Sequence, residues 1–233
     1  MNLFITGANR GLGLALTKEA AKRRHTVFAA VRNPEQRVEE LRQLQSDFPN
    51  QVFLLPLNIA DEASCDAASK RLREENVSLD VIINNAGILD ERSKKIEELD
   101  MDKVEQTFHI NLFGPMRVIK HFLPLLAKGP NASIINISSE AGSFQNAYGG
   151  DYPYALSKSA LNMFSQQLKK YLAIDQVSVY AIHPGWIKTD MGGERAPGTP
   201  EESARGFLDI VEKKMEIQAT SCFINFKGEP MPL

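Results

Sequence analysis

Asn2-Leu3-Phe4-Ile5-Thr6-Gly7-Ala8-Asn9-Arg10-Gly11-Leu12-Gly13 opens the chain, and its reading decides the fold. Asn2–Thr6 is a short apolar run and predicts a strand. Leu12–Arg24 carries alanines and leucines at helical spacing and predicts a helix. The glycines stand at the junction. There they permit a tight turn and a close approach of the backbone to a phosphate, which would sit at the helix N-terminus.

The same alternation continues outward. Strands are predicted over Thr26–Val31, Val52–Leu57, Leu79–Ile83, Ala132–Ile137, Val177–Ile182 and Ser221–Phe226. Helices are predicted over Pro34–Asp47, Asp61–Glu75, Asp102–Ala127, Tyr154–Leu172 and Pro200–Lys214, the third of them bent at Gly114-Pro115. Near-continuous apolar strands alternating with helices imply a parallel sheet covered on both faces. The expectation is one α/β domain over 1–233, a doubly wound Rossmann-type fold with a seven-stranded parallel sheet. Residues 1–90 would form mainly the dinucleotide-binding half and 91–233 the catalytic and substrate half. Leu89–Lys95 and Met191–Pro200 read as mobile loops.

The 233 residues carry a net charge of -2, which offers no electrostatic case for nucleic acid or an anionic membrane. No apolar run approaches the length of a membrane span. Met1–Ile5 reads as a core strand and not as a signal peptide, so the expected location is cytoplasmic. Cys65 and Cys222 lack metal-ligand spacing and read as small buried hydrophobes in a reducing compartment. His25, His109 and His121 lack paired ligand spacing, so no metal is expected.

Tyr154 and Lys158 are four residues apart and share a helix face. An adjacent ammonium favours the phenolate, so Lys158 is expected to lower the pKa of Tyr154 and make it a usable acid/base. The cofactor preference is read at the end of the second strand. A dinucleotide fold that takes NAD places an acidic residue there for the ribose 2′-hydroxyl. This chain has Val31-Arg32-Asn33. A guanidinium can grip a 2′-phosphate in fork geometry, so Arg32 points to NADP(H).

Taken together, the chain resembles the short-chain dehydrogenase/reductase family over nearly its full length. Thr6–Gly13 is similar to the family's Thr-Gly-x-x-x-Gly-x-Gly, and Asn84-Asn85-Ala86-Gly87 to its Asn-Asn-Ala-Gly element. Asn111 stands where the family has a helix asparagine. Ile135–Ser139 resembles the strand that ends in the catalytic serine, and Tyr154–Lys158 the catalytic helix. His183–Thr189 resembles the Pro-Gly-x-x-x-Thr segment against the nicotinamide. The compact chain and its Phe-Lys-Gly-Glu-Pro-Met-Pro ending look like the C-factor, sniffer and carbonyl-reductase branch.

The resemblance implies roles. Gly7, Asn9, Arg10, Gly11, Leu12 and Gly13 would wrap the pyrophosphate and adenosine. Arg32 would take the 2′-phosphate, and Asn58 and Ile59 would flank the adenine. Many family members have Asp in place of Asn58, whose amide oxygen would have to serve instead. Asn85, Ala86 and Gly87 would lie along the cofactor, with Pro184, Gly185, Ile187 and Thr189 at the nicotinamide. Ser139, Tyr154, Lys158 and Asn111 would be catalytic, with Tyr154 and Lys158 also touching the cofactor. Ser138 would point away by strand alternation.

The implied activity is reduction of an aldehyde or ketone by NADPH, with Tyr154 as general acid. The alternatives are a nucleotide-binding regulatory or signalling protein of the same fold, and an NAD-dependent alcohol dehydrogenase. The partner is a small-molecule carbonyl or alcohol, and the family's helix pairing implies a homo-oligomer, a dimer or tetramer. Phe144, Tyr148, Tyr152 and Trp186 suggest an apolar or aromatic substrate. A second reading has them simply packing the loops.

Overall fold

The computed structural model describes residues 1–233. Its sheet has seven parallel strands: β1 (Asn2–Thr6), β2 (Thr26–Val31), β3 (Val52–Pro56), β4 (Val81–Asn84), β5 (Ser133–Ile137), β6 (Ser178–His183) and β7 (Phe223–Asn225). Their order is β3-β2-β1-β4-β5-β6-β7. The chain therefore reverses its winding between β1 and β4, which pair Leu3 to Val81 and Ile5 to Ile83. A doubly wound sheet binds ligands in the crevice beyond the strand ends at such a point.

Strand alternation divides the core. Leu3 and Ile5 of β1 join one fully buried cluster, and Phe4 between them joins the other. Helices α1 (Gly11–Lys22), α2 (Glu39–Asp47) and α7 (Pro200–Val211) cover the first face. Helices α3 (Glu62–Glu74), α4 (Met101–Asn111), α5 (Phe113–Phe122) and α6 (Tyr152–Tyr171) lie over the second. Phe4 and Phe122, both fully buried, bring their rings to 4.3 Å between centroids. Cys65 and Cys222 are buried, and burial pushes the Cys65 thiol up to about 11. No helix is long and apolar enough to cross a membrane.

Helix α7 stops at Val211, short of the expected Lys214, and three other helices differ at their starts or interiors. The helix expected from Pro34 begins at Glu39. The Asn33 side chain accepts from the Glu35 N–H (2.9 Å), and Arg37 turns left-handed (φ 52), so the chain makes a turn before it can coil. The long helix expected over Asp102–Ala127 is not bent but broken. Leu112 (φ -116, ψ -60) separates α4 from α5, and a 3₁₀ turn follows at Leu123–Leu125. Pro115 cannot donate to the Asn111 carbonyl, so the ladder loses its bond there. Helix α6 begins two residues early, at Tyr152, because Pro153 suits a first turn.

Candidate active site

The strand ends at the winding reversal open into one cavity of about 910 Å³. One end is built on the glycine turn. Gly7 (φ 64) and Gly11 (φ 51) take conformations that side chains resist. Gly13 does not line the cavity. A Cβ there would lie 2.2 Å from the Gly7 carbonyl, so this glycine lets α1 pack onto the turn. Arg10 precedes α1 with no side-chain cap, and the first turn carries no acid. The helix therefore presents unpaired N–H groups, the arrangement that receives an anion.

The Asn-Asn-Ala-Gly element braces this turn. Thr6 Oγ1 accepts from Asn85 N (3.0 Å) and Ala86 N (3.1 Å). Asn85 Nδ2 donates to the carbonyls of Thr6 (2.9 Å) and Gly7 (3.1 Å). Asn84, behind it, donates to Asn136 on the neighbouring strand (2.8 Å).

Arg32 is exposed on the cavity wall. Sequence reading missed Arg37, which lines the same end; Asn9 Nδ2 donates to its carbonyl (3.1 Å) and ties the two loops. Only the left-handed turn, invisible as a motif, brings Arg37 there. Arg10 also lines this end of the cavity. Its guanidinium pairs with Asp190 across the cavity mouth at 2.7 Å, both side chains being largely exposed. Such a pair is worth ~0–1 kcal/mol. Leu57, Asn58 and Ile59 line the same cavity, where the Asn58 amide oxygen accepts from Ala60 N (3.2 Å) and closes a local turn. Pro184, Gly185, Ile187 and Thr189 line the far wall.

At the opposite end Ser139, Tyr154 and Lys158 share the wall. Ser138 turns away and donates to the buried Asn162, as alternation requires. Ser139 caps the next turn by accepting from Ala141 N (3.2 Å), and its hydroxyl acts to lower the pKa of the Tyr154 phenol. Lys158 is buried and donates from Nζ to the Ile137 carbonyl (2.6 Å). Its Nζ lies 5.6 Å from the Tyr154 ring centroid.

The electrostatics correct one expectation. Burial pushes the Tyr154 phenol above its ordinary value, and the Ser139 bond and the Arg92 charge only pull it partly back. Lys158 is itself brought down to about 8 by burial, and its ammonium is turned to the Ile137 carbonyl. Asn111 is buried behind the wall. Its amide clasps both the N–H and the C=O of Ile88 (2.9 Å each) and donates to Ser157 Oγ (3.1 Å).

The four aromatic residues separate. Tyr148 and Trp186 line the cavity, whereas Phe144 and Tyr152 do not. Phe144 is 81% exposed on a turn, and Tyr152 is set aside as the first residue of α6. Tyr148 donates to Asp151 (2.9 Å), and burial with that carboxylate pushes its phenol up to about 12. Trp186 Nε1 is committed to the Gly192 carbonyl (2.8 Å). The two loops expected to be mobile meet here, where Arg92 donates to the Met191 carbonyl (3.1 Å).

Known proteins share this architecture. The family model described as short chain dehydrogenase matches residues 2–199. The carbonyl reductase Sniffer of D. melanogaster is 31% identical, with a TM-score of 0.90 over 100% of this chain and 99% of that one. The NADPH-bound carbonyl reductase from chicken fatty liver is 33% identical, with a TM-score of 0.88 over 100% and 98%. The C-signal protein of Myxococcus xanthus is 34% identical over 66% of this chain and 92% of its own. The chain belongs to the short-chain dehydrogenase/reductase family of oxidoreductases, near the C-factor and sniffer branch.

Proposed function

We propose that the chain is an NADPH-dependent carbonyl reductase. The observation that carries this is a single cavity with Ser139, Tyr154 and Lys158 at one end and Arg32 and Arg37 at the other. The uncapped start of α1 would take the pyrophosphate, Arg32 and Arg37 the 2′-phosphate, and Leu57–Ile59 the adenine. Ile187 and Thr189 would hold the nicotinamide, and Tyr154 and Lys158 its ribose. The bound cofactor supplies the hydride for the carbonyl carbon. Residues 1–90 furnish most of the nucleotide half and 91–233 the catalytic half.

Burial keeps Tyr154 protonated at neutral pH, the state a proton donor needs. Ser139 shares the hydrogen bond that orients the reacting oxygen. Tyr154 gives its proton to the alkoxide as charge develops there. Lys158 holds the positive charge behind it. The Asn111 carbonyl has no i+4 N–H partner, since that position is Pro115, and is left to accept a water that returns the proton to Lys158.

The test is NADPH oxidation, followed by absorbance, against aldehydes, ketones, diketones and quinones, with NADH in parallel and Arg32→Ala as the variant. Turnover is expected with NADPH preferred. Arg32→Ala should cost about tenfold to a hundredfold in NADPH affinity, the scale of a charge-assisted bond, and leave NADH affinity nearly unchanged. Turnover with NADH alone, or equal losses for both cofactors, would overturn the NADPH assignment.

Met101, Phe113, Met116, Leu156 and Met163 stand 40–62% exposed along α4, α5 and α6. Their apolar face supports assembly into a homodimer or tetramer. Light scattering should give a multiple of 25.9 kDa; a mass of 25.9 kDa would exclude it.

A further inference from the structure

Arg92 is the one cation of the catalytic end that neither catalysis nor the phosphates use. It lines the cavity and is exposed. Its guanidinium makes one protein hydrogen bond, to the Met191 carbonyl, and no ion pair. A guanidinium has five N–H donors, so four remain. It shares the cavity wall with Tyr154 and Tyr148.

The surrounding chain holds this residue in place. Glu91 (φ 58) and Ser93 (φ 62) are both left-handed, an uncommon conformation for non-glycine residues that clusters at ligand sites. Two neighbouring acids are committed elsewhere. Glu91 accepts from Asp100 N (3.0 Å). Asp151 accepts from Ser93 N (3.3 Å) and from the Tyr148 hydroxyl (2.9 Å).

We propose that Arg92 determines substrate choice by selecting carbonyl compounds that also carry a carboxylate, a reading that rests on the reductase assignment. A planar carboxylate fits the guanidinium fork through two parallel bonds. A monoanion suits this end better than a dianionic phosphate, because Asp151 and Glu140 also line it. Tyr148 and Trp186 present apolar surface to the body of the molecule between the carboxylate and the reacting carbonyl.

The experiment compares kcat/KM for 4-carboxybenzaldehyde, benzaldehyde and 4-(trimethylammonio)benzaldehyde in the wild type, Arg92→Gln and Arg92→Lys. The order anion, neutral, cation is expected in the wild type, with at least a ~tenfold preference for the anion over the neutral aldehyde. That preference should fall to within ~twofold of unity in Arg92→Gln. It should persist in part in Arg92→Lys, which keeps the charge but loses the fork. An absent preference, or equal losses on all three aldehydes, would overturn the proposal.

Calorimetric titration of 4-carboxybenzyl alcohol and benzyl alcohol into the NADP-loaded chain separates this reading from the one beneath it. Carboxylate-selective binding that needs Arg92, without turnover of any aldehyde, would sink the reductase assignment and retain the anion site. Turnover without carboxylate selectivity would do the reverse.

Discussion

Tyr154→Phe is expected to lower kcat for carbonyl reduction by about 10²–10⁴-fold, the range that a positioned general acid supplies. The substitution removes the phenolic oxygen and keeps the ring that packs in the cavity wall. No neighbour can take over. Tyr148 also lines the cavity, but its hydroxyl donates to Asp151, and its phenol is pushed up to about 12 by burial and that carboxylate. Tyr152 lies outside the cavity wall. The variant should still titrate with NADPH by fluorescence, because the glycine turn, Arg32 and Arg37 are distant from the change. Single-turnover kinetics checks it. A loss below tenfold would mean that the proton comes from elsewhere.

Lys158→Met is expected to lower kcat by about 10²-fold or more while leaving the fold at least as stable at pH 7. The activity falls because the buried positive charge behind the tyrosine is gone, and one such electrostatic contact is worth ~10²–10³-fold. The stability follows from the titration of Lys158. Burial holds it at about 8 against an ordinary 10.5, so keeping it charged in the fold costs roughly 3 kcal/mol. The full cost is present below pH 8, where folded and unfolded chains both hold the proton. Between about pH 8 and 10.5 only the unfolded chain holds it, so stability rises with pH across that window. Methionine removes the charge but leaves the Ile137 carbonyl without its donor, a loss of about 1–3 kcal/mol. Urea denaturation at pH 7 should therefore show anything from no change to a gain of about 2 kcal/mol. The wild-type rate should fall as pH rises through about 8, and the variant should lack that limb. A variant clearly less stable than the wild type would mean that Lys158 serves the fold as well.

The tyrosine-lysine pair shows how far a local reading reaches. Helical spacing correctly placed both residues on one wall, because i and i+4 share a face in any helix. It did not anticipate that burial raises the tyrosine, because solvent exclusion comes from other parts of the chain. Asn111 is similar. The motif located it, yet its side chain serves Ile88 and Ser157. Asn58 was placed at the adenine side, but its amide oxygen was not foreseen to close a turn. Arg37, Arg92 and Asp190 had no motif at all. Left-handed turns and loop contacts bring them to the cavity, and those depend on partners 28 to 180 residues away.

What this sequence determined by itself was the succession of strands and helices, the glycine turn after β1, and the order of the family's motifs. Each rests on interactions within about a dozen residues: strand alternation, helical periodicity and the freedom of glycine. The tertiary structure alone decided where α4 breaks from α5 and that Arg32, Arg37 and Arg92 line one cavity. It also decided that burial pushes the Tyr154 phenol above its ordinary value. These are consequences of desolvation and long-range contact, set by what the fold places around a residue and carried by no short stretch of the chain.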